Sequence, residues 1–240
     1  NRRPNPLATQ ARSEVNGVCM SGFGTTLRIQ QEYPGSVAPW GRGDDNSGTF
    51  RTTAHNGNVF VIGQGQFELL QRAIFGQGRP AFAVLDGAGI DDLPALLQQH
   101  APEAMCLFSG ELDPMLAAAA PYLVPLRNGS PGTQLVLRDG WNSHWGIILV
   151  TDADTTMLSL RSHLRRILRV AAPGGESMLF RFYDPRAFRT VVPTFDKQQH
   201  KVFFGPIHGC YVESRDTNQA LYFARDNQQA SAPLPLSAAA

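Results

Sequence analysis

The chain has 240 residues, 42% of them hydrophobic and 17% charged, with a formal net charge of +1. That composition fits a globular protein with a sizeable core, and the near-neutral balance gives no reason to expect nucleic acid or an anionic membrane as partner. No apolar run approaches the roughly 20 residues that a membrane-spanning helix needs.

At the N-terminus, Arg2-Arg3 is not followed by an apolar stretch, so no secretory signal is expected. Residues 1–66 are rich in Gly, Asn, Ser, Thr and Pro. They read as an irregular arm with short apolar bursts at Leu27–Ile29 and Val59–Ile62 and a loop over 41–48. From Phe67 the pattern becomes regular. Phe67–Phe75 predicts a helix stopped by Gly76, Gly78 and Pro80. Ala81–Leu85 predicts a buried strand ending in Asp86-Gly87. Asp91–His100 predicts a helix with Pro94 in its first turn and Leu93, Leu96 and Leu97 on one face. Ala104–Phe108 is a second buried strand. Asp113 caps a helix that starts at Pro114 and runs through the alanines to Ala120. Tyr122–Leu126 is a third strand, at an edge on account of Pro125.

A helix precedes Trp141, and Trp145–Val150 is the fourth strand. Asp152 and Asp154 open a helix bearing Leu158, Leu160, Leu164, Ile167 and Leu168. Pro173-Gly174-Gly175 is a turn, Met178–Tyr183 the fifth strand, and Pro185 the start of a helix with Phe188 and Val192 facing in. Val202-Phe203-Phe204 reads as a short strand or turn. Cys210–Glu213 and Ala220–Ala224 form a hairpin around Arg215–Asn218. The tail, 226–240, is expected to be disordered. Continuous apolar strands alternating with amphipathic helices predict an α/β fold: a mostly parallel sheet flanked by helices, a C-terminal antiparallel hairpin and the irregular N-terminal arm.

The common chemical motifs do not form. The glycines after Leu85 do not complete GxGxxG, because Asp92 stands where the third Gly belongs, and neither a phosphate-binding loop nor a GxSxG elbow occurs. Cys19, Cys106 and Cys210 are far apart and read as free thiols in a reducing compartment. The six histidines lack zinc spacing. No metal or cofactor is expected on those grounds. One arrangement stays open: the strand-end carboxylates Asp86, Glu111, Asp152 and Asp184 could hold a divalent metal in a hydrolase or transferase, or could cap turns and helices. His144, between Trp141 and Trp145, has no partner that the sequence can place, and it reads as a surface or packing residue. The tryptophan pair, with Gly140 and Gly146, reads as a helix-to-strand joint. Arg161, His163, Arg165, Arg166 and Arg169, joined by Arg181, Arg186 and Arg189, form either a solvated face or a strip facing an acidic partner.

Six motifs occur in order: Phe82–Ala88; Gly110–Asp113 with Ala120–Val124; Gly140-Trp141 with Trp145–Ile147; His163–Arg166; Phe180–Arg186; and Phe204–Pro206. Over residues 67–225 this set resembles the type VI secretion effector chaperone, or adaptor, family. The resemblance implies a cytoplasmic, non-enzymatic adaptor domain that binds a secreted toxic effector and loads it onto the VgrG/PAAR spike, with no cofactor. Partner contact is then expected at Arg161, Arg165, Arg166, Arg181, Tyr183 and Arg186. Asp86, Gly87, Trp141, Trp145, Gly146, Asp184 and Pro185 are expected to be scaffold.

Overall fold

A computed structural model of the chain describes residues 18–22, 25–29, 61–171 and 175–237. The expected loop at 41–48, the first two residues of the Val59–Ile62 burst and the first two residues of the Pro173–Gly175 turn lie outside the described residues. In chain order the elements are β1 (Val18–Gly22), β2 (Thr25–Ile29), α1 (Gln64–Phe75), β3 (Ala81–Asp86), α2 (Leu93–His100), β4 (Met105–Cys106) and α3 (Pro114–Ala119). Then come β5 (Pro121–Leu126), α4 (Pro131–Gln134), β6 (Gly146–Thr151), α5 (Met157–Ile167), β7 (Arg169–Ala171) and β8 (Ser177–Leu179). The chain closes with α6 (Pro185–Val191), α7 (Lys197–Phe204), β9 (Ile207–Glu213), β10 (Gln219–Ala224) and β11 (Leu234–Pro235).

The main sheet has seven strands in the order β11-β10-β9-β6-β3-β5-β4. Every pairing in it is antiparallel, so the expectation of a mostly parallel sheet is overturned. Strands β5 and β6 flank β3 and both run against it, and the helical segment joining them crosses over β3. All six positions of β3 are buried, because helices cover both faces of the sheet. On one side Phe82, Val84, Ile147 and Leu149 pack with α5, α6 and α7. On the other, Ala83, Leu85, Ile148 and Val150 pack with α1, α2 and the segment before Trp141. A continuous apolar run therefore reports burial on two faces, whatever the strand direction.

Further differences from expectation have local causes. The second expected strand shrinks to the two half-exposed residues of β4 at the sheet edge. Pro125 lies in β5 beyond the reach of β4, where a missing N–H costs nothing. Helix α5 is capped by Thr156, reciprocally with Ser159, not by Asp152 or Asp154. The expected fifth strand leaves the main sheet. Its first part, β8, joins β1, β2 and β7 in a second, four-stranded antiparallel sheet, so the N-terminal arm contributes two strands. Val202-Phe203-Phe204 closes α7 instead of forming a strand, and an Asp196–Gln199 capping box starts that helix. Part of the expected disordered tail returns to the sheet as β11, with Leu236 fully buried.

The α5–α7 side of the core is aromatic. The Phe203 ring meets Phe182 edge-on at 5.7 Å, Phe188 at 5.8 Å and Phe195 at 5.4 Å, the geometry that aromatic quadrupoles favour. His163 lies beneath it, buried, with Nε2–H donating to the Phe203 carbonyl at 2.8 Å. Its ring leaves no room for a Cβ at Gly205, whose φ of +46° also calls for glycine. Two separated sequence motifs are thus one contact.

Two outcomes are expected. Phe203→Ala should cost about 3–5 kcal/mol in urea unfolding, because the ring is fully buried and its cavity cannot collapse. Burial lowers the His163 imidazole below its ordinary pKa, so the fold favours the neutral form. Its stabilising contribution is present above about pH 6.5 and is lost as pH falls from there toward the lower folded value. The decline of Tm between about pH 7 and 5 should be shallower in His163→Asn, with burial of His200, lowered for the same reason, supplying part of the remaining slope.

Candidate functional site

The end of the main sheet where β3 and β9 finish and β5 and β6 begin gathers several of the charged residues that the sequence singled out. Asp86 closes β3, and its backbone N–H donates to the Trp145 carbonyl at 2.8 Å. Its carboxylate accepts from the Ala88 N–H at 3.2 Å and pairs with Arg181. Asp184 caps α6 by accepting from the Arg186 N–H at 2.9 Å. The Arg186 side chain folds back on the same carboxylate with Nε at 3.0 Å and Nη2 at 2.9 Å, a two-pronged pair. Glu213 ends β9. It accepts the His144 backbone N–H at 3.1 Å, and the His144 Nδ1 lies 2.7 Å from its Oε2. The Arg189 guanidinium donates to the Glu213 carbonyl.

The signs of charge are layered. The carboxylate residues are inside: Asp86 is 3%, Asp184 8% and Glu213 1% exposed. The side chains of their partners reach out, with Arg181 44%, Arg186 59% and His144 42% exposed. A buried carboxylate is tolerated only with such partners. Burial alone would raise the Asp184 carboxyl, but the Arg186 side chain and N–H outweigh it and hold it below the ordinary carboxylate range. Tyr183 is fully buried, and that burial, with Asp86 nearby, pushes its hydroxyl far up, so it stays neutral.

The joint before β6 is strained. Residues Leu135–Asp139 form a π turn closed by the Gly140 N–H on the Leu135 carbonyl at 3.0 Å. Asn142 and His144 then both adopt positive φ, +66° and +59°, which costs non-glycine residues energy and is over-represented at functional sites. The Trp145 ring lies against Gly140, where a Cβ would collide with it, and a Cβ at Gly146 would strike the Val84 carbonyl. Trp141 is 3% exposed, and its Nε1 has no hydrogen-bond partner among the described residues.

The four carboxylates proposed for a metal do not converge. Asp86 and Asp184 lie at this end. Asp152 lies at the opposite end, held by Arg225 at 2.6 Å and Arg79 at 3.7 Å. Glu111 is exposed in the loop before α3. Among the described residues no group of three potential metal ligands forms. The arginine strip divides as well. Arg161 is spent on the sheet edge, with Nε on the Cys106 carbonyl at 2.8 Å and Nη2 on that of Phe108 at 3.4 Å. Arg165 and Arg166 are exposed at the end of α5. Gly87 and Pro185 are buried beside the carboxylates they follow. Sequence reasoning missed Glu213 and Arg189 as partners of this cluster. The one available signal was a glutamate ending an otherwise apolar strand.

The molecule is a three-layer α/β protein with helices on both faces of an antiparallel sheet and a buried-carboxylate cluster at one end. Residues 81–201 match the family described as "Domain of unknown function (DUF4123)", half of the chain, and the protein belongs to that family. No curated protein and no solved structure matches it. Among the described residues no helix is long and apolar enough to cross a membrane.

Trp141→Ala should cost about 3–5 kcal/mol in chemical denaturation. Trp141→Phe should cost far less, because the indole N–H it removes is buried without an acceptor.

Proposed function

We propose that the protein is a non-enzymatic adaptor of the type VI secretion system, which binds a secreted effector in the cytoplasm and helps load it onto the VgrG/PAAR spike. Membership of the DUF4123 family is compatible with that role, and the ordered motifs over residues 67–225 resemble such adaptors. The observation that carries a binding reading is the layered charge at the sheet end. Arg181, Arg186 and His144 are each oriented by a buried carboxylate, so they lose little side-chain freedom when a partner arrives. Arg186 uses two of its nitrogens on Asp184 and keeps further N–H donors for an acidic group on that partner.

Co-expression with the effector and VgrG encoded beside the gene should give a complex that co-purifies. The absence of a complex with either product would end the adaptor assignment. Within such a complex, Arg186→Glu should weaken binding by about tenfold or more, equivalent to about 1.4 kcal/mol, with the salt dependence of the on-rate reduced. An unchanged affinity would assign the array to stability alone.

A further inference from the structure

The sheets treat their edges differently. In the main sheet, β4 is two residues long and Arg161 occupies the outward carbonyl of Cys106. At the other edge β11 is equally short and contains Pro235. Both are familiar ways of preventing a further strand from adding. In the second sheet β8 is the terminal strand, and among the described residues nothing pairs with its outer side. Ser177, Met178 and Leu179 are all exposed, the latter two at 47% each. Two large apolar side chains on an open edge are a template for strand addition.

The register states which groups are on offer. The Phe180 N–H bonds to the Leu168 carbonyl at 2.7 Å, and Leu179 stands opposite Arg169. Hydrogen-bonded and non-hydrogen-bonded pairs alternate along an antiparallel ladder. Met178 therefore bonds inward to Val170, while the N–H and C=O of Ser177 and Leu179 face outward. Arg165 and Arg166, in the last turn of α5, stand just before the strand that β8 pairs with, and their exposed side chains make no hydrogen bond or ion pair among the described residues.

We infer that the outer edge of β8 receives an extended segment of the adaptor's protein partner, apolar where it meets Met178 and Leu179 and acidic where it passes Arg165 and Arg166. This rests on the protein-binding reading above and adds a second site to it. A second copy of the chain is the poorer occupant. Pairing β8 with itself would bring together two edges that each carry Arg165, Arg166 and Arg169 against a single Glu176, and like charge opposes that association.

The test uses the full chain and the effector encoded beside its gene. Leu179→Pro removes an outward N–H and leaves the inward bonds of Met178 and Phe180 in place, whereas Leu179→Val keeps the N–H. Affinity should fall by at least about tenfold in Leu179→Pro and stay within about threefold in Leu179→Val. Complex formation should slow amide exchange at Ser177 and Leu179 in the wild-type chain, a readout that stands even if the proline variant folds poorly. A wild-type complex with unchanged exchange at both amides would overturn the β8 site and leave the adaptor reading intact. A chain that dimerises through β8 would overturn the choice of occupant. No wild-type complex at all would remove both.

Discussion

Strand β3 is hydrogen-bonded on both sides and buried at every position, and that double enclosure governs the architecture. A strand so placed cannot carry a polar side chain until it leaves the sandwich. The first one it carries is Asp86, at its last residue. The charge of Asp86 is therefore created at a fixed depth, where the layers stop and the 180–186 segment crosses. Arg181, Tyr183 and Asp184 are brought there by the same packing that buries Phe180 and Phe182. The close approach of Gly146 to the Val84 carbonyl holds β6 in register with β3, and so sets where Trp145 and His144 emerge.

The result is a charge distribution opposite to the usual solvated ion pair. Surface pairs between two mobile side chains contribute little. Here one partner of each pair is fixed by burial and by backbone N–H groups, as with Ala88 on Asp86 and Arg186 on Asp184. The cation inherits that rigidity while remaining in contact with water. Arg161, on the same helix as Arg165 and Arg166, is used differently, since both of its acceptors are backbone carbonyls of the β4 segment. A run of arginines that looks uniform along the chain thus divides into positions that hold the sheet and positions that face outward.

Much of the fold was legible because the long strands of the main sheet are mostly apolar and several helices have a boundary residue of the right kind. Asp113 and Asp184 cap as their chemistry dictates. Strand direction was not legible, because two-faced burial erases the alternation that marks most antiparallel strands. Helix α7 was hidden behind its final phenylalanines, although Asp196 and Gln199 carried a capping signal. At the site, Asp86, Arg181, Asp184 and Arg186 could be picked out because they crowd the ends of local elements. Glu213 could not be joined to His144, since 69 residues separate them and only the pairing of β9 with β6 brings them together.

The π turn at Leu135–Asp139 has a bearing on how the family can vary in length. Such a turn is an α-helix that has taken in one extra residue. Losing that residue would turn the i→i+5 bond from the Gly140 N–H to the Leu135 carbonyl into an ordinary i→i+4 bond between the same two groups, so the residues after it would keep their orientation about the axis. Trp141 would stay in the core, and the positive-φ turn that delivers His144 to Glu213 would keep its aim. Along this helix, therefore, the π turn is where the family can lose one residue without moving the core that follows.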